Sequence, residues 1–117
     1  MKTTTTRSLV SSVTVPTTAG SHVYGDAVDA SDLGRASFQS IVSGTGVSGG
    51  SPVTVMLEVS NEETASGWAP LQSISHSSSN SAVVTKDMLY RWVRARIDSS
   101  DPGVNATVTI VMQGQLI

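Results

Sequence analysis

Gly44, Gly46 and Gly49 stand at the G-x-G-x-x-G spacing of a dinucleotide-binding turn, and Gly46, Ser48 and Gly50 within the same stretch match the G-x-S-x-G of a serine-hydrolase elbow. Both chemistries require a helix directly after the glycines, to face a pyrophosphate or to hold the strained serine. Here Ser51-Pro52 leads straight into the alternating run from Val53, so the spacing predicts a hairpin loop. A serine nucleophile also needs a histidine base. His22 and His76 lie in polar surroundings with no local tie to Ser48 and read as solvated loop residues. An esterase using Ser48 with His22 or His76 is thus matched by pattern alone, and the expectation is a protein without enzymatic activity.

Asp26, Asp29 and Asp32 form the densest acidic cluster and could serve a hard cation such as calcium, but their spacing matches no EF-hand loop. Their simpler reading is turn capping around Ser31 and Gly34. No cofactor is expected. Asn105-Ala106-Thr107 satisfies the glycosylation sequon but reads as strand. Arg91, Arg94 and Arg96 place three of the seven basic residues in one run, interleaved with Tyr90 and Trp92. Such a run could stack nucleic-acid bases. The net charge of -2 favours instead pairing with Glu58, Glu62 or Asp98, or a protein contact, since Arg, Trp and Tyr concentrate at interface centres. Tyr90, Trp92, Arg94 and Arg96 are therefore the first candidate contact residues, with Leu9 and Val10 second; Trp68 is expected in the core.

These residues need a scaffold, and the composition supplies one kind. The 117 residues contain 20 Ser, 13 Thr and 16 Val against a single Phe, a balance suited to half-buried strands. The absence of cysteine excludes disulfides, thiolate metal sites and cysteine nucleophiles. Val53, Val55, Leu57 and Val59 alternate with polar partners, as do Val104, Ala106, Val108, Ile110 and Met112. A third strand puts Leu89, Val93, Ala95 and Ile97 on one side and Tyr90, Trp92, Arg94 and Arg96 on the other. Weaker strand signals fall at 8–15, 22–28, 35–43, 68–75 and 82–85. The expectation is a single all-β domain over 8–117, an antiparallel, jelly-roll-like β-sandwich of about eight short strands. Residues 1–7 have few apolar side chains and are expected to form a flexible N-terminal arm. No apolar run resembles a signal peptide or a membrane span, so a protein made in the cytoplasm, with no nucleic-acid or membrane partner, is expected.

The run from Val53 to Glu63, then Gly67-Trp68-Ala69-Pro70-Leu71, then Tyr90 to Ile97, resembles a recurring tailed-bacteriophage virion module. In that module an alternating strand ends in a Ser-Asn turn, a Trp opens the next strand, and a Tyr-Arg-x-Val-Arg strand precedes the last. Gly25 to Asp29 and Ala36 to Val42 are similar to its earlier strands, so the resemblance covers roughly residues 22–115. It implies a virion structural protein, of the capsid decoration or cement kind that clamps major capsid proteins; separately, the low aromatic content and small core lead to the expectation of a dimer or trimer. The alternative is a tail or fibre module in which Trp92 or Tyr90 stacks on a carbohydrate or receptor and the aspartates hold calcium.

Overall fold

In a computed structural model describing residues 3–117, every regular element is a strand. The nine are β1 (Thr4–Thr14), β2 (His22–Tyr24), β3 (Val28–Asp29), β4 (Leu33–Thr45), β5 (Val53–Ser60), β6 (Ala69–His76), β7 (Ser81–Asp87), β8 (Trp92–Asp98) and β9 (Asn105–Leu116). They form two antiparallel sheets in the orders β1-β9-β4-β7 and β2-β8-β5-β6, with β3 also paired to β8. Because β2 and β3 pair with successive parts of β8, they act as one interrupted strand. Counted so, the eight strands have jelly-roll connectivity. The expected all-β sandwich is the fold observed, and the ninth strand arises from the break at Gly25–Ala27.

Period-two alternation explains the core. Val53, Val55, Leu57 and Val59 of β5 face inward, as do Val93, Ala95 and Ile97 of β8 and Ala106, Val108, Ile110 and Met112 of β9. They meet Ala36, Phe38 and Val42 of β4, with the single Phe fully buried among aliphatic side chains. Of the sequential connections, only β5 to β6 joins hydrogen-bonded neighbours. The glycine-rich segment after β4 therefore does not close a hairpin, as expected from sequence, but crosses from one sheet to the other. Gly44 (φ 148°) and Gly46 (φ 82°) lie where a Cβ would collide with the backbone of Asn105, Ala106 and Gly103. Close approach of the β4 end to the start of β9 is thus the structural reason for glycines at that spacing.

The expected flexible arm also differs. Met1 and Lys2 lie outside the described residues, but Thr4–Arg7 form the first part of β1, registered from Thr4 against Gln115 to Arg7 against Met112. Backbone pairing, which apolar content does not reveal, orders this segment. The Arg7 guanidinium completes the tie by donating to both carboxylate oxygens of Asp32 at 3.1 and 2.7 Å and to the Asp29 carbonyl. Leu9 and Val10, expected as contact residues, are core residues only 3% and 5% exposed. A register irregularity between Ser8 and Val10 turns both consecutive side chains inward.

Candidate functional site

β8 delivers the alternation expected of it, placing Trp92, Arg94 and Arg96 on the outer face of the five-stranded sheet while Val93, Ala95 and Ile97 fill the core. The pattern fails before Trp92. Leu89, assigned to the inner side, is 80% exposed, and its neighbour Met88 is buried instead. Residues 88–91 belong to the crossing from β7, held by Met88 N–H donating to the Gly34 carbonyl and Arg91 N–H to Asn61 Oδ1. Tyr90 is therefore off the strand, half-buried against the core rather than beside Arg94.

The tyrosine of the outer face is Tyr24, brought in by β2. The Arg94 guanidinium lies 4.2 Å from the Tyr24 ring centre and 4.3 Å from that of Trp68, flanked by an aromatic ring from each edge of the sheet. Trp68, expected in the core, stands half-buried on this face because it immediately precedes β6 at the end of the β5–β6 connection. Arg94 Nε donates to Glu58 Oε1 at 2.9 Å, across the registered pair Glu58 and Arg94. Glu58 is buried despite its charge and receives Arg96 Nη1 on its other oxygen at 3.4 Å. Arg96 Nε also donates to Asp98 Oδ1 at 2.7 Å, which raises the guanidinium pKa, and His22 Nδ1 lies 3.0 Å from the same oxygen. Of the carboxylates expected to serve these arginines, Glu58 and Asp98 do so, whereas Glu62 accepts from Ser66. Arg91 sits 5.5 Å from the Trp92 ring centre. The buried Trp92 Nε1 has no hydrogen-bond partner among the described residues.

On this face the Arg94 and Arg96 guanidinium groups each meet a carboxylate, and Arg94 meets two rings as well. Chemically it offers flat aromatic and guanidinium surfaces with donors at their edges, side-chain types that are enriched at protein interfaces in general.

The hydrolase candidates do not come together. Ser48 Oγ accepts the Ser51 N–H in the β4–β5 crossing, His22 belongs to β2 beside Asp98, and His76 is elsewhere. His76 is not a solvated loop residue: it is 1% exposed at the end of β6. Its Nε2 lies 2.9 Å from Ser40 Oγ on β4, and its Nδ1 2.7 Å from Asn80 Oδ1. This Ser-His-Asn geometry mimics a catalytic triad, yet Ser40 is wholly buried between the sheets, where the three act as a polar strut. Two inward series, Ala36-Phe38-Ser40-Val42 and Ile74-His76, carried the signal for it, read as interruptions of apolar alternation.

Asp29 and Asp32 lie together at Arg7, and each carboxylate takes a local partner. Asp29 Oδ1 accepts the backbone N–H and hydroxyl of Ser31, an Asx turn that lowers its pKa, while Arg7 lowers that of Asp32. No cluster of three or more His, Cys, Asp or Glu fit to hold a metal occurs among the described residues. Asn105 of the sequon opens β9.

No family model matches this chain, and no curated protein does. Solved structures do. The exported protein XepA of PBSX superposes with a TM-score of 0.69 at 8% identity, over 97% of this chain and 37% of XepA. This chain therefore spans little more than a third of XepA. YomS, derived from the SPBc2 prophage, gives 0.58 at 12% identity, over 97% and 96% of the two chains. A protein of Bacillus endospore appendages, described as disulfide-linked pili, gives 0.56 at 20% identity, over 100% and 92%. At these identities the likeness is one of fold.

Proposed function

We propose that this protein is a phage virion structural subunit, without enzymatic activity, that decorates and stabilises a capsid lattice through protein–protein contacts and assembles with copies of itself. The observation that carries the reading is the outer face of the β2-β8-β5-β6 sheet, where Arg94, Trp68 and Tyr24 form a broad stack locked by Glu58. Fixing these side chains before contact removes much of the ordering cost of binding. The fold shared with a prophage-derived protein and with XepA of PBSX supports a phage origin, and the likeness to an appendage subunit supports a role in assembly. Each contact can be weak, because a lattice presents many at once and multiplies their effect.

The test is co-sedimentation with tailed-phage capsids stripped of decoration protein, using the full chain and the Trp68→Ala and Tyr24→Ala variants. Saturable binding that weakens in both variants supports the reading. Binding to host glycans but not capsids, lost in the same variants, would replace it with a tail or fibre module that recognises carbohydrate.

A further inference from the structure

Two sheets have four edges, and three are protected against pairing with another chain. β1 is broken by register irregularities at Ser8/Val10 and Val10/Val13 and by Ser12 in the left-handed region (φ 48°). On the second sheet, β2 and β3 are three and two residues long, and β6 carries Pro70 and a register shift against β5. Irregular, short and proline-bearing strands are the devices by which proteins blunt sheet edges. β7 is different. Its seven residues run in unbroken register against Arg35–Ile41, with no Pro or Gly, and its charges, Lys86 and Asp87, are confined to its C-terminal end. Near its middle, Val83 is 62% exposed.

The direction of its backbone follows from two flanking hydrogen bonds. Val42 N–H donates to the Asn80 carbonyl at 2.9 Å and Met88 N–H to the Gly34 carbonyl at 3.0 Å. In an antiparallel ladder hydrogen-bonded residues alternate, so Ala82, Val84 and Lys86 face β4, and the N–H and C=O groups of Ser81, Val83, Thr85 and Asp87 point to the free side.

We infer that β7 is a self-pairing edge, joining β7 of a second copy antiparallel about a two-fold axis at Val83. This deepens the assembly reading by naming the surface through which copies meet. In that register Val83 faces Val83 of the second copy and Ser81 faces Thr85, each pair exchanging its free backbone groups, for about six hydrogen bonds in all. Both exposed valines lie on the same outer face and cover each other. Lys86 and Asp87 fall beyond the paired centre, opposite the Ser79–Asn80 end of the other strand, so no like charges meet. The two four-stranded sheets become one of eight strands, an isologous contact that closes at the dimer.

The natural chain has no cysteine, which makes the test direct. Hydrogen-bonded antiparallel partners have Cα atoms about 5.5 Å apart, within disulfide reach. Mild oxidation of the Val83→Cys chain should give a disulfide-linked dimer at least tenfold faster than the Gln39→Cys chain, whose site is exposed on the same sheet face. Adding Thr85→Pro, which removes a free-side N–H that an edge strand can lose without unfolding, should abolish that advantage while the urea midpoint stays within error. Equal cross-linking at both sites, or an advantage that survives Thr85→Pro, overturns the inference. Cross-linking without capsid binding would refute the capsid reading alone, and capsid binding without cross-linking this inference alone.

Discussion

Replacing Ser40 by Ala deletes one oxygen from the interior, yet it should cost more than its size suggests. With Asn80 Oδ1 facing Nδ1, the His76 ring proton sits on Nδ1 and Nε2 accepts the Ser40 hydroxyl proton. Ser40 is on one sheet and His76 on the other, both essentially without solvent contact. Ser40→Ala strands Nε2 in an apolar interior that water does not reach, at a cost of about 1–3 kcal/mol. At this chain length that corresponds to a melting temperature lower by roughly 3–6 °C for each kcal/mol. Asn80→Ala should cost about 1 kcal/mol or less, because Asn80 is exposed and water can take its place. The decisive comparison is a cycle with His76→Phe, which fills the ring volume without polar nitrogens. The double variant removes both unpaired groups and should be more stable than the sum of the single effects, by about 1–2 kcal/mol. Urea unfolding at neutral pH, with a common slope for all four chains, measures it. Single effects that add within about 0.5 kcal/mol would refute the strut.

Arg94→Ala should destabilise by about 1–3 kcal/mol, less than the ~3–5 of a wholly buried pair, because Arg94 keeps some exposure and Arg96 still reaches Glu58; the double variant with Glu58→Gln, measured by urea unfolding, should recover part of that loss. Gly44→Ala should cost more than the ~1 kcal/mol of an ordinary strand substitution, because backbone at Asn105 and Ala106 occupies the Cβ position; thermal melting checks this, and a neutral outcome contradicts the close approach. Arg7 holds the Asp32 carboxyl below its ordinary value, so the stability this pair adds is present above about pH 4 and is lost as pH falls through the lower folded value. In Asp32→Asn the urea midpoint should therefore fall less steeply on acidification than in the parent, and amide exchange at Thr5–Arg7 should quicken at neutral pH.

Long alternating runs made the scaffold legible: β5 and β9 lie where Val53–Val59 and Val104–Met112 predict, and β8 realises the Trp92–Ile97 part of the run expected from Leu89, because one buried face writes a period of two into the sequence. Four features were hidden for definite reasons. Thr4–Arg7 reads as a polar arm because edge pairing rests on backbone hydrogen bonds and one ion pair, neither of which shows in apolar content. Leu9 and Val10 defy alternation at a register irregularity. Of the outer face, the Arg94, Arg96, Glu58 and Asp98 network was legible from one strand and its charge partners. Tyr24 and Trp68 were not, since sequence proximity favoured Tyr90 and the size of the indole favoured a core position for Trp68. The buried polar strut was obscured by the serines and asparagine around His76, which suggest solvent.

The proposed role of this sandwich is to occupy a repeating capsid surface. Its most direct test is the number of copies bound per undecorated capsid at saturation, measured by quantitative mass analysis of purified particles. A decorating subunit should reach a fixed copy number that matches the symmetry of the shell and should raise the temperature at which the particle opens. Binding that never saturates, or that leaves capsid stability unchanged, would contradict it.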